Sequence, residues 1–385
     1  MPSSRAGRFV SQRRGQEGFA AFIPAPLPPQ PPLVMDTRME EALEGASHAL
    51  GKLDGVTLML PDPALFLYSY IRKEAVLSSQ IEGTQSTLSD LLLFESAAVP
   101  GAPTDDVREV SNYVAAINHG LARIRKQDFP LVLRLVREMH ALLLKDDRGA
   151  SKDPGEFRRS QNWLGGTGPG NARYVPPPPQ ELLPALDNLE KFINDQFGRT
   201  PPLLKAGFAH AQFETIHPFL DGNGRLGRLL ITLILCSEGV LERPLLYLSL
   251  YLKVHRDEYY ETLQRIRTEG DWEGWFYFFL TGVREVAEQA TIATKKIVEL
   301  FNKDRDVILR GKRAASAARV HELLCHRAIL SIPKAASILH ISQPTVTAAI
   351  RRLEDVGIVR EATGRQWGRQ FVYTRYLALL NQGIE

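Results

Sequence analysis

Apolar positions recur every three or four residues along most of this chain, the period of helices that each bury one face. Over 64–83, Leu65, Tyr68, Ile71, Arg72, Ala75, Val76 and Ser79 make one mostly apolar stripe. A second helix is predicted from Thr104, with Asp105 and Asp106 in its first turn and Val107, Val110, Val114, Ile117, Leu121 and Ile124 turned inward. Further helices are predicted over 131–145, 181–197 and 203–216, and a long one from 272 to about 304 that opens on Trp272, Trp275, Phe276, Phe278 and Phe279. The stretch from 35 to 98 reads as helical pieces broken at Gly51, Gly55 and Pro61-Asp62-Pro63. Two segments lose the helical period. Residues 1–34 are rich in Arg, Gly and Pro and predict no helix or sheet core but an extended segment, either an interaction arm or a semi-ordered strap across the folded body. Residues 155–179 pass through a Gly-rich loop to Tyr174-Val175 and four prolines, which suits a short hairpin with an exposed edge.

Toward the C-terminus, a charged, small-residue stretch at 302–318 predicts a linker. Beyond it, Pro333–Leu339 reads as a short helix, His340-Ile341-Ser342 as a turn, and Ser342 as the cap of a second helix through Leu353. Val346, Ile350 and Leu353 then face inward, and Gln343, Thr345, Thr347, Arg351 and Arg352 outward, as a recognition helix needs. Gly357-Ile358-Val359, the basic tip 364–369 and Gln370–Tyr373 resemble a wing. This part resembles a winged-helix domain. From 316 to 385 there are nine Lys or Arg against five Asp or Glu, a modest excess for a domain expected either to touch DNA or to contact protein.

Composition changes this picture little. With 385 residues and 44% hydrophobic content, two or three ordinary domains are expected. A net charge of +3 does not by itself argue for nucleic acid. Two cysteines, Cys236 and Cys325, suit a reducing compartment without a disulfide framework. The longest apolar run, Leu229–Cys236, is far too short to span a membrane. Arg5, Arg8, Arg13 and Arg14 precede no apolar core before Pro24, so no signal peptide is expected and the cytoplasm is the expected location.

The chemistry concentrates in His217-Pro218-Phe219-Leu220-Asp221-Gly222-Asn223-Gly224-Arg225-Leu226-Gly227-Arg228. Twelve residues hold a base, a carboxylate able to bind metal, three glycines, an asparagine and two arginines. Gly222, Asn223 and Gly224 can turn consecutive N–H groups toward an anion, and the helix that follows adds its positive end. Arg225 and Arg228, three apart, share a helix face and can reach the same phosphates. His140, by contrast, reads as a packed or capping histidine.

The stretch resembles the signature of the Fic/DOC family, His-Pro-Phe-x-Asp-Gly-Asn-Gly-Arg-x-x-Arg, at every fixed position. The resemblance implies transfer of AMP from ATP to a hydroxyl of a target protein. It implies His217 as general base, Asp221 as the ligand holding Mg²⁺ against the phosphates, and Gly222, Asn223, Gly224, Arg225, Leu226, Gly227 and Arg228 as the phosphate-binding set. Tyr260 is then expected at the adenine pocket. The segment near Tyr174-Val175 resembles the family's flap, which holds a target protein by strand addition. Upstream, Ser78-x-x-x-Glu82-Gly83 resembles the family's inhibitory motif in the class that carries it N-terminal to the core. There the glutamate pairs with the last motif arginine, here Arg228, and takes the space of the γ-phosphate. Without that pairing, Glu82 would be a carboxylate set against the negative end of its helix.

The expected fold is mainly α: a Fic helical core with a short β-hairpin flap, plus a C-terminal winged helix-turn-helix domain. The expected divisions are a proline-rich leader at 1–34, a helical region with the inhibitory helix at 35–103, the catalytic core at 104–304, and linker and winged helix at 305–385. Homodimer formation is an expectation of the resemblance alone. The motif does not separate AMP transfer from removal of AMP at the same site. A DNA-binding regulator with a nucleotide-sensing core is the third reading, although a sensor needs no base.

Overall fold

The structure is a computed structural model and describes residues 5–15, 17–58, 64–96, 105–127, 129–145, 149–195, 200–310, 314–364 and 368–383. Pro61-Asp62-Pro63, Thr104 and 365–367 of the expected basic tip lie outside them. A hairpin of β1 (Gly7–Arg14) and β2 (Glu17–Pro24) opens the chain. Then come α1 (Thr37–Leu58), α2 (Ala64–Ile81), α3 (Leu88–Ser96), α4 (Asp105–Gln127) and α5 (Leu133–Leu143). The centre holds α6 (Pro179–Ile193), α7 (Pro202–Ile216) and α8 (Asn223–Ser237). Short α9 (Ser249–Val254) and α10 (Arg256–Glu269) lead to the 38-residue α11 (Trp272–Leu309). Last come α12 (Ala314–Arg327), β3 (Ile329–Ser331), α13 (Ile332–Leu339), α14 (Gln343–Asp355), β4 (Val359–Glu361), β5 (Gln370–Tyr373) and α15 (Thr374–Asn381). The fold is mainly helical, as expected, with two small antiparallel sheets, β1-β2 and β3-β5-β4. Among the described residues no helix is long and apolar enough to cross a membrane.

The core is built around α7, in which every residue from Leu203 to Ile216 is buried. Even Lys205, His210, Gln212 and Glu214 are buried, so the helix has no solvent face and neighbours cover it on all sides. Its closest neighbour is α8, and the two meet at Gly227, where a Cβ would stand 2.5 Å from Glu214 Oε1 and 3.2 Å from the Phe213 ring. The aromatic opening of α11 closes another side: Phe208 packs edge-on against Trp272 and Phe276.

Three expectations change. Gly51 and Gly55 do not break the first helix; both lie inside α1. Each costs about 1 kcal/mol against alanine, but Met39, Ala46, Ala49, Leu50 and Leu53 are buried along the same helix, which lies on α11. The leader is not a strap throughout. Its run of prolines begins at Pro24, and before that run Gly7–Arg14 pairs in register with Glu17–Pro24 around a turn at Gly15, φ 61°. Only the proline-rich part lies as a strap, with Pro28, Pro29, Pro32 and Leu33 along Phe192, Leu204 and Phe208. The expected linker at 302–318 is largely helix, since α11 continues to Leu309 and α12 starts at Ala314. Asp304, at the expected domain edge, is buried and accepts hydrogen bonds from Tyr373 (2.6 Å) and Arg375 (2.8 Å).

The C-terminal helix pair follows the pattern: Ser342 Oγ accepts from Thr345 N–H, and Val346, Ile350 and Leu353 are buried. Gln343, Thr345 and Arg351 are exposed. Arg352 is not free to face outward, because its Nη2 donates to the Ile308 carbonyl at 2.9 Å.

Candidate active site

The buried α7 ends at His217, which takes a left-handed backbone (φ 49°) and so turns the chain off the helix. Gly222 (φ 76°) makes the opposite join, entering α8 with no side chain to cap its first N–H groups. That leaves the amino end of α8 suited to an anion. Asn223 closes the loop between the two helices. Its Oδ1 accepts from Phe219 N–H and its Nδ2 donates to Phe219 O, both at 2.9 Å. Its amide is thus spent on the loop, so any anion contact is left to its backbone. Phe219 packs inward, fully buried, its ring stacked 3.7 Å from His140. His140 Nδ1 accepts from Gly155 N–H (2.8 Å), which leaves Nε2–H to donate to the Asp221 carbonyl (3.0 Å). Burial lowers its pKa to about 4 despite that bond. The histidine read as packing is a neutral brace for the loop.

Glu82 follows the last turn of α2, and its carboxylate lies over the amino end of α8, where a Cβ on Gly224 would collide with it. Arg228 Nη2 donates to Glu82 Oε1 at 2.7 Å and to the Ser78 carbonyl at 2.9 Å, while Nε donates to Ser78 Oγ at 2.9 Å. The arginine side chain is 1% exposed and the glutamate 36%. Burial works against the Glu82 charge, but Arg228, then Arg225 and His217, outweigh it and hold the carboxyl below its ordinary range. Gly83 (φ 103°) lets the chain leave immediately after Glu82. Tyr260 stands near this pair: burial first, then the Glu82 charge, raises its phenol, and Tyr259 packs beside it at 5.0 Å.

His217 is pushed down to about 4 by burial and then by the Arg267 and Arg158 charges. At neutral pH its ring is uncharged and able to take a proton. Asp221 keeps a side chain 46% exposed at the loop surface. No cluster of three His, Cys, Asp or Glu suited to a metal occurs among the described residues. A single exposed carboxylate fits Mg²⁺, which keeps most of its shell for water and phosphate oxygens.

Other residues fall elsewhere than expected. Arg225 is buried and ion-paired with Glu109 of α4 at 2.8 Å. Leu226 is fully buried and Gly227 faces α7, so both serve helix packing. The edge at Tyr174-Val175 is not open: both are buried, and the Val175 carbonyl accepts from Phe22 N–H of β2 at 2.9 Å. The hairpin there shrinks to one bridge, Leu164 with Tyr174. Periodicity marks none of Glu109, Glu214, Arg158 or Arg267. An acid or arginine inside an otherwise apolar helix face is the one signal available, and Glu214 in α7 carries it.

Residues 40–122 fit the profile described as Fic/DOC family N-terminal, and residues 130–235 that of the Fic/DOC family. The chain is 34% identical over 198 residues to Protein adenylyltransferase Fic of Aedes aegypti, an alignment covering 50% of this chain and 36% of that protein. Against the Drosophila melanogaster protein of the same name it is 29% identical over 246 residues, 62% and 45% of the two chains. The matches thus span less than half the length of these relatives. Among solved structures, a Fic family protein from Desulfovibrio desulfuricans superposes with a TM-score of 0.56 at 20% identity, over 89% of this chain and 98% of the other. Fic-1 from C. elegans superposes with a TM-score of 0.50 at 21% identity, over 68% and 73%. At these identities the likeness is one of fold.

Proposed function

This chain belongs, through residues 40–122 and 130–235, to the Fic/DOC family, and from that premise we propose that it is an autoinhibited protein adenylyltransferase. It transfers AMP from Mg-ATP to a hydroxyl side chain of a target protein. His217 takes the hydroxyl proton, the freed oxygen attacks the α-phosphorus, and the bond to the β-phosphate breaks to release pyrophosphate. Asp221 would hold Mg²⁺, which would supply positive charge to offset that on the departing pyrophosphate. The amino end of α8 and Arg228 receive the remaining phosphate oxygens. Tyr260 edges the base.

The observation that carries this reading is the Glu82–Arg228 pair at 2.7 Å, with the carboxylate over the amino end of α8. A carboxylate there mimics the anion the site is built for and excludes it. Such a charge-assisted bond contributes roughly 1.5–3 kcal/mol, about ten- to a hundredfold in access. The test compares wild type, Glu82→Gly and Glu82→Gly/His217→Ala with α-labelled ATP and Mg²⁺, alone and in cell lysate. Strong labelling by the single variant, weak by wild type and none by the double variant is the expected outcome. No labelling by any of them would overturn transfer and turn attention to AMP removal.

A second reading concerns the C-terminal helices. The exposed Gln343, Thr345 and Arg351 of α14 support contact with duplex DNA. A salt-dependent mobility shift, lost in Arg351→Ala, is the expected result.

A further inference from the structure

The carboxyl end of α7 carries four carbonyls that its own turns cannot satisfy. Backbone supplies one partner: His217 N–H donates back to Phe213 O at 2.9 Å. Every later carbonyl is taken by a side chain from elsewhere. Arg267 Nη2 donates to Glu214 O at 3.3 Å and its Nε to Thr215 Oγ1 at 3.3 Å. Tyr174 donates its hydroxyl to Thr215 O at 2.6 Å. Arg158 donates from Nη2 to Ile216 O (3.4 Å) and from Nε to His217 O (2.9 Å). The three side chains lock together, because the Arg267 guanidinium lies 4.0 Å over the Tyr174 ring and Arg158 also donates to Pro177 O at 2.6 Å and Ser160 O at 3.2 Å.

Both arginines are buried, and among the described residues neither has a carboxylate partner. A buried cation without a carboxylate is costly unless its donors are well used. Here both are spent on one helix end, whose dipole is negative. That end is where His217 adopts a left-handed backbone, unusual for a residue with a Cβ.

We propose that Arg158 and Arg267 are positioning residues for His217: Arg158 locks the left-handed backbone that aims the ring, and Arg267 holds the helix end that carries it through Glu214 O and Thr215 Oγ1. Four groups bear on that ring. Arg158 comes from the segment before Tyr174 and Arg267 from α10, both opposing protonation; Glu214 of α7, through its carbonyl, and Glu82 after α2 favour it. Burial and the two cations prevail. The base that this arrangement serves rests on the adenylyl-transfer reading, whereas the aim and charge of the ring do not.

The experiment uses the full chain in the Glu82→Gly background, with the nine histidines labelled at Cε1 and the His217 resonance assigned by its loss in His217→Ala. Arg267→Met is expected to raise the His217 titration midpoint by about one pH unit, and Arg267→Lys to restore it. Arg158→Lys keeps the charge, so its midpoint stays with the parent, but its single ammonium cannot span the same carbonyls. Its transfer kcat is expected to fall at least about tenfold with the KM for ATP unchanged. An unmoved midpoint in Arg267→Met, in protein that still binds ATP, overturns the electrostatic role. A parental kcat in Arg158→Lys overturns the positional one. A parent that labels nothing would count against adenylyl transfer, while the titration would still decide the charge on His217.

Discussion

Arg225 of α8 stands 2.8 Å from Glu109 of α4, and both side chains are buried. The first arginine after the glycine-rich loop therefore meets any incoming phosphate already paired, its second neighbour being Asp221 at 3.8 Å. Removing Glu109 takes the nearer carboxylate from a buried cation and leaves Asp221 at 3.8 Å, so the cost falls below the roughly 3–5 kcal/mol of a fully stranded buried charge. Glu109→Ala is expected to lower the melting temperature clearly. A nucleotide phosphate can replace the lost carboxylate, so ATP is expected to raise the melting temperature more in the variant than in wild type. Equal ATP shifts in a thermal melt would mean that Arg225 never meets the phosphates.

The helix that carries Glu82 is also held from the far end of the chain. Ser69 Oγ lies 3.0 Å from Tyr376 Oη, Lys73 Nζ donates to the Gln382 carbonyl at 2.9 Å, and the Arg327 guanidinium stacks over Tyr68. All three contacts join α2 to α12, α15 and the residues after it. Each lost hydrogen bond is worth about 1 kcal/mol, so Lys73→Met with Tyr376→Phe is expected to raise unstimulated labelling by up to about thirtyfold. Unchanged labelling with a lower melting temperature would show that these contacts hold α2 in place without bearing on inhibition.

Local regularities were legible and distant pairings were not. The Val107–Leu121 stripe is the buried face of α4, and the Ser342 cap and the Val346, Ile350 and Leu353 face of α14 appear where their spacing puts them. Helix ends and buried faces depend on neighbours three or four residues away, so a chain displays them. Gly51 and Gly55 misled because packing on α11 overrides propensity. The β1-β2 hairpin was hidden by the prolines that follow it and by a first strand with only Phe9 and Val10 apolar, although Gly15 stands at its turn. Glu82 and Arg228 are 146 positions apart, and only the family resemblance joined them before the fold did. Glu109, Arg158 and Arg267 carried no local signature, since each acts on a partner that topology alone brings near.

Acid stability follows from six buried groups. Burial lowers His140 and His321 to about 4 and His210 to about 3, and with the two arginines it lowers His217 to about 4, all from 6.5. Burial raises Glu74 and Glu214 from 4.5 to about 7. Between those limits the unfolded chain binds the four histidine protons that the native state refuses. Their contribution is therefore present above pH 6.5 and lost as pH falls toward 4. The two glutamates act oppositely, since the native state holds protons the unfolded chain has released; their contribution is present below pH 4.5 and lost as pH rises through about 7. Four protons against two leave the unfolded chain ahead by two, a slope of about 3 kcal/mol per pH unit near pH 5.5. Urea midpoints are expected to drop steeply from pH 6.5 to 5. His210, whose Nε2 meets the Tyr259 hydroxyl at 2.9 Å between aromatic rings, is the histidine to remove. His210→Gln is expected to reduce the slope by about 1.4 kcal/mol per unit. A slope that stays at the wild-type value would mean that native His210 takes up its proton much as the unfolded chain does, and that burial does not hold it neutral.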